Sequence, residues 1–249
     1  MMKTASVSVI LAASLCLAHV SVVIADGLIH QLPKDGSWVR FDATGEGLSP
    51  GGEVTLTLKG TVTVKSVGME VVDGTICRWI EIETGMEASG ARGPRGPQTE
   101  VFKLLIPEKH LVPGQNPRDH ALKAWKKDTK GADRELDLKG DDARAVASLD
   151  ELLNAGLAKS EKRDGVEIKV PGGTFRCTHL NGRESPEAGN VDLEIQTWLT
   201  DEVPFGVVAY RHTKMRKNEG QSLGGRWMEL KFAAAGADAK SAIGRPVTE

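Results

Sequence analysis

Between residues 54 and 64 apolar and polar side chains alternate. Val54, Leu56, Leu58, Val62 and Val64 share one phase, and Thr55, Thr57, Lys59, Thr61 and Thr63 share the other. A period of two puts successive side chains on opposite faces of a β-strand. Gly60 sits mid-run without breaking the phase, which predicts one long strand bent at a glycine. Val72-Asp73-Gly74-Thr75 is a hairpin-turn signal, with a strand returning over Ile76–Thr84. The same alternation predicts strands at Trp38–Ala43, Thr99–Ile106, Val166–Val170, Thr174–Leu180, Val191–Leu199, Val207–Thr213 and Arg226–Ala233. Asp201–Gly206 reads as the turn between two of them.

Helical signals are confined to the middle. Asn116 suits an N-cap with Pro117 in the first helical position, followed by an apolar stripe of Ala121, Leu122 and Trp125. Ser148-Leu149-Asp150-Glu151 matches a capping box ahead of Leu152, Leu153 and Leu157. The expected fold class is therefore α+β: a curved, mainly antiparallel sheet (a half-barrel) of eight or nine strands, with two short helices packed on it. Gly90–Gln98 contains three Gly-X-Y triplets, far short of a collagen repeat, and reads as a basic hairpin loop.

The ends bring in the compartment. An apolar run spans residues 5–24 behind Lys3 and ends in Val23-Ile24-Ala25, with a small residue where signal peptidase cuts. Residues 1–25 are expected to be a signal peptide and 26–233 a single domain. Residues 234–249, rich in Ala, Gly and polar residues, are expected to be a disordered tail. No later run approaches spanning length, so the mature chain is expected to be exported, periplasmic or extracellular, without a membrane span.

Composition narrows the class further. The 249 residues are 40% hydrophobic and 27% charged with a net charge of −2, which excludes a disordered chain. So even a balance offers no clustered basic face, and no nucleic-acid partner is expected. Two cysteines beyond the leader, Cys77 and Cys177, are too few for a disulfide scaffold. They could pair in an oxidising compartment, yet the spacing from each preceding Gly-Thr turn puts them on opposite sides of their strands. Two buried small apolar residues is the alternative.

Few motifs point to chemistry. Gly220-Gln221-Ser222-Leu223-Gly224 matches a nucleophile elbow, but a strand pattern follows it and no histidine lies beyond His212, so a hairpin loop is expected. Gly45, Gly47, Gly51 and Gly52 lack phosphate-loop spacing. His30, His110, His120, His179 and His212 show no metal-ligand spacing, although His110 and His120 flank one loop beside Asp119. No catalytic residue, metal ligand or cofactor is expected, and a hydrolase ranks last.

One pattern stands out. Trp38, Trp79, Trp198 and Trp227 all occupy the polar phase of their strands, beside residues such as Arg40, Glu81, Glu194 and Glu229. An indole on a polar face calls for a cover. Helices or a loop would supply it, or the four tryptophans would form a ligand or partner surface.

Val170-Pro171-Gly172-Gly173-Thr174-Phe175-Arg176-Cys177, then Val191–Trp198, then Val203-Pro204-Phe205-Gly206-Val207-Val208 resemble uncharacterised periplasmic domains related in shape to the lipoprotein-carrier half-barrels. The resemblance implies a curved sheet around helices, with acyl chains held in the apolar concavity of carrier members. Asp192, Glu194, Glu229 and Lys231 charge one phase here, so only one face can line such a pocket. The expected function is an exported non-catalytic domain that binds a lipid, lipoprotein or other apolar ligand between sheet and helices. The alternative is a structural or protein-interaction component of the cell envelope.

Overall fold

The computed structural model describes residues 27–91, 93–127, 131–147, 149–153, 160–185, 190–219 and 221–244. The expected signal peptide lies outside them. The strands are β1 (Trp38–Leu48), β2 (Val54–Val72), β3 (Thr75–Gly90), β4 (Gly93–Pro107), β5 (Lys123–Lys127) and β6 (Asp133–Glu135), then β7 (Ser160–Val170), β8 (Gly173–Glu184), β9 (Val191–Leu199), β10 (Val207–Asn218) and β11 (Gln221–Gly236). All eleven pair antiparallel in one open sheet, in the order β6-β5-β4-β3-β2-β1-β11-β10-β9-β8-β7. Two meanders thus meet where the first strand pairs with the last, with Phe41 opposite Phe232 and Ala43 opposite Leu230.

The inner face carries the apolar phase. Val39, Phe41, Val62, Val64, Ile80, Ile82, Phe102, Leu104, Tyr210, Leu230 and Phe232 form one continuous buried cluster. Leu28, Leu111, Leu149, Leu152, Leu153 and Phe205 from the connecting segments fill the space above it. The sheet curls tightly enough that the turn between β7 and β8 reaches β11, where the Gly172 N–H donates to the Phe232 carbonyl at 3.0 Å. Gly60 lies within the unbroken β2, where the close approach of the next strand requires a glycine, because a Cβ there would collide with the Gly85 carbonyl oxygen. The β2–β3 turn has Asp73 at φ 49 and Gly74 at φ 75, the left-handed pair of a tight hairpin.

Eleven strands in one open sheet replace the expected α+β half-barrel of eight or nine strands with two short helices packed on it. The helical residues described are α1 (Ala143–Ala147), α2 (Asp150–Leu153) and three 3-10 turns, at Glu108–His110, Pro117–His120 and Pro204–Gly206. Asn116 does cap, accepting the Arg118 N–H at 3.3 Å, but the turn it starts ends at His120. The chain then pairs with β4, with Ala124 opposite Leu104 and Trp125 opposite Lys103, so the ladder overrides the apparent helical stripe. Among the described residues the capping-box segment gives α2, Asp150–Leu153, with Ser148 and Leu157 lying outside them.

Two further expectations change. Gly93–Gln98 belongs to β4 rather than to a loop, with Gly90 opposite Gly93. Pro94 and Pro97 fit there because β5 pairs with β4 only over Val101–Leu105. The C-terminal segment, expected to be disordered from 234, continues β11 to Gly236, and Ile243 is fully buried.

Candidate functional site

The N-terminal stretch is pinned to the turn between β9 and β10. The His30 and Gln31 N–H groups donate to the Phe205 carbonyl at 2.9 and 3.3 Å, and Gln31 Nε2 donates to the Val203 carbonyl at 3.0 Å. Phe205 has φ 64, a left-handed backbone that costs a non-glycine residue about 1–2 kcal/mol. Its ring is fully buried, which offsets that cost.

This stretch, Pro113-Gly114 and the β7–β9 end of the sheet enclose a cleft of about 640 Å³. Buried Cys177, Leu180 and Leu199 make its apolar floor, and Lys162, Arg176 and Asp201 stand among its polar lining. Lys162 is engaged with Asp164 at 3.2 Å. The Thr178 hydroxyl, donating at 2.7 Å, and then Lys162 hold the Asp164 carboxyl below the usual range. Arg176 lies across Gly165, where a Cβ would be 3.0 Å from its guanidinium, and it makes no ion pair among the described residues. Burial, then the Glu202 charge, pushes the Cys177 thiol up to about 11, so it is not a thiolate near neutrality.

A second hollow of about 550 Å³ lies where α2 meets β9–β11, lined by Glu151, Val191, Leu193, Ile195, Tyr210, His212, Lys214 and Arg226 among others. The Tyr210 hydroxyl donates to the Glu151 carbonyl at 2.6 Å, and Arg226 pairs with the Glu151 carboxylate. Burial, then the Lys214 charge, depresses His212 to about 4, so it is neutral near pH 7.

The four tryptophans keep the polar phase but form no common stripe. Trp38 opposes Gly236 at one end of the β1–β11 ladder, and Trp227 opposes Glu46 nearer the other. Trp38 Nε1 donates to Asp238 at 2.8 Å and Trp227 Nε1 to Glu46 at 3.1 Å, while Arg211 sits 5.2 Å from the Trp227 ring. Trp198 stacks on His179 with centroids 4.5 Å apart. Trp79 is buried in a small cluster with Cys77 and Leu105, and donates to Glu70 at 3.1 Å. Its cover is strand neighbours, not helix.

Cys77 and Cys177 are both free and buried. Five strands separate β3 from β8, and Cys177 faces the main core whereas Cys77 belongs to the small outer cluster. At about 4.8 Å per strand the pair cannot be bridged, so the entertained disulfide does not form. His110 and His120 stack at 3.6 Å. Among the described residues no group of three or more His, Cys, Asp or Glu could hold a metal ion. Ser222 and Gly224, expected in a hairpin loop, belong instead to β11, opposite Lys217 and Arg216, with Gly220 outside the described residues.

One constellation was not visible in the sequence. Across the outer face, Trp38, Lys65, Glu81, Lys103 and Trp125 stand opposite one another on β1 to β5. Glu81 is fully buried and Lys103 almost so. Lys65 reaches Glu81 at 3.1 Å and Glu83 at 2.9 Å. Burial acts to lower the Lys65 pKa, but the hydrogen bonds and charges of Glu83 and Glu81 outweigh it and raise it.

No family model matches the chain, and no curated protein matches it. Three solved structures are similar at low identity. A protein of Parabacteroides distasonis classed as a lipoprotein is 11% identical, with 85% of this chain and 99% of that chain covered and a TM-score of 0.27. A protein of Bacteroides fragilis classed as exported, with a YmcC-like fold, is 9% identical, with 84% and 99% covered and a TM-score of 0.28. A beta-barrel-like protein of a domain of unknown function (DUF1849) from Brucella abortus is 12% identical, with 84% and 99% covered and a TM-score of 0.32. Among the described residues no helix is long and apolar enough to cross a membrane.

Proposed function

We propose that this chain is an exported, non-catalytic binding domain that holds an amphipathic ligand in the cleft at the β7–β9 end of the sheet. The observation that carries the reading is the cleft itself. Its volume of about 640 Å³ falls within the range of small-molecule sites, roughly 300–1,000 Å³. An apolar floor of Cys177, Leu180 and Leu199 suits a hydrocarbon segment, and the guanidinium of Arg176, without an ion pair among the described residues, suits an anionic head group. The main core between sheet and connecting segments is filled by Leu28, Leu111, Leu149, Leu152, Leu153 and Phe205, so the ligand belongs at this margin. Export rests on the N-terminal run of residues 5–24 and its small-residue ending.

Native mass spectrometry of the protein purified from its own cell envelope tests this. One retained amphiphile per chain is expected, lost in Thr178→Trp, which fills the cleft, and weakened in Arg176→Glu. A wild-type chain that carries nothing and fails to take up an added long-chain fatty acid overturns the reading.

A second reading, a component of an envelope protein assembly, has its own support. Met69, Val71 and Ile76 are 60%, 67% and 53% exposed, and Val71 opposes Ile76 near the β2–β3 tip. Crosslinking through the tip that disappears in a Met69→Ser, Val71→Ser, Ile76→Ser variant would favour it over the cleft.

A further inference from the structure

We propose that the outer-face row Lys65–Glu81–Lys103–Trp125 is a groove for an extended peptide of the type Ser-small-aliphatic. Residues Ser241–Ile243 of the same chain occupy it in this state, and the partner that can replace them is the same segment of a second copy. The groove is defined by what fills it. After β11 ends at Gly236, the chain crosses the outer face from β1 to β6. Asp238 accepts from Trp38 on β1, and the Ala239 N–H donates to the Gly36 carbonyl at 2.8 Å. Over β3 and β4 the Ser241 hydroxyl donates to Glu81 at 2.7 Å and accepts from Lys103 at 3.0 Å. The Ala242 N–H donates to Glu81 at 3.0 Å, and Lys103 donates to the Ile243 carbonyl at 3.2 Å. The Ile243 side chain is fully buried, and the Gly244 N–H reaches Asp133 on β6 at 3.1 Å.

The recognition is chemical and directional. A buried carboxylate takes amide and hydroxyl donors, a buried ammonium gives to a carbonyl, and an apolar socket takes one aliphatic side chain. These groups read main chain and small side chains, so any segment with the same run satisfies them equally. The groove also holds a donor that the segment leaves unused, since Trp125 Nε1 is buried without a partner among the described residues. The linking residues Ala237, Asp238 and Lys240 are exposed. A short exposed link between a body and a docked segment is where copies exchange identical elements. The second copy is the partner because it carries this segment on the same link.

Complementary variants of the full chain test the proposal. Ile243→Asp leaves a working groove with a segment that no longer fits, and Glu81→Gln leaves a working segment with a broken groove. Each alone should be monomeric, and their mixture should form one-to-one pairs. A synthetic peptide of residues 238–244 should bind the Ile243→Asp chain saturably, and its Ile→Asp version should bind at least about tenfold more weakly. If Ile243→Asp does not fold, Ser241→Asp replaces it, because a second carboxylate against Glu81 releases the segment without opening a cavity. Folded variants that neither pair nor bind the peptide overturn the proposal. Equal binding of both peptides, or peptide binding that survives Glu81→Gln, overturns it too.

Discussion

The two meanders share one antiparallel geometry but differ in how many faces are covered. In β3 and β4, Ile80, Glu81 and Ile82 are consecutive and all fully buried, as are Leu104 and Leu105 beside Lys103. The main core covers one face of these strands. The C-terminal segment and the Trp79 cluster cover the other. In the second meander, the outer phase of β7 is solvated, and the hollows of about 640 and 550 Å³ open along β7–β11. The difference teaches that alternation reports which residues share a face, not whether that face is dry. The same polar phase that is wet on β7 is desolvated on β3, because a segment remote in sequence lies over it.

The sharpest way to break the contrast is Glu81→Ala. It removes the fully buried carboxylate that Lys65, the Ser241 hydroxyl and the Ala242 N–H share, and losing one partner of a buried ion pair costs about 3–5 kcal/mol. Urea unfolding should show that loss, whereas Glu161→Ala on exposed β7 should stay within about 0.5 kcal/mol. Next in size is Ile243→Ala. Truncating a fully buried isoleucine should cost about 2–4 kcal/mol, which a merely tethered tail would not show.

The pH dependence sharpens the open half. His212 is depressed to about 4 when folded and titrates near 6.5 when unfolded, so below 6.5 the unfolded chain binds more protons. Its contribution is complete above pH 6.5 and is lost as pH falls towards 4, by about 3 kcal/mol in all. Replacing it in His212→Gln should remove that part of the slope in unfolding curves measured between those limits. The smallest effect concerns the thiols. Cys77 and Cys177 should be slow to alkylate in the folded protein and fast in urea, and a reductant should leave the melting temperature unchanged.

Nine of the strands were legible because their alternation is local. Val191–Leu199 matches to the residue, and the others lengthen at their ends, where side chains leave the core and the pattern fades. β5 was not legible, since Ala121, Leu122 and Trp125 mimic a helical stripe and only pairing with β4 decides the matter. The polar phase of the tryptophans was also readable. Their dispersal was not, because it depends on strand order. Of the cleft, Cys177, Leu180 and Leu199 gave themselves away only as strand residues. Its opposite wall, His30 and Gln31, comes from a segment with no periodic signal, held by the turn at Phe205.

The most direct measurement follows backbone amide resonances while a long-chain fatty acid is titrated into the full chain. Saturable shifts are expected at Gln31, Gly165, Thr178 and Thr200 around the cleft, with Glu81, Ala242 and Ile243 unmoved. No shifts at the cleft, or shifts confined to the covered half, would contradict the assignment of the open half as the ligand site.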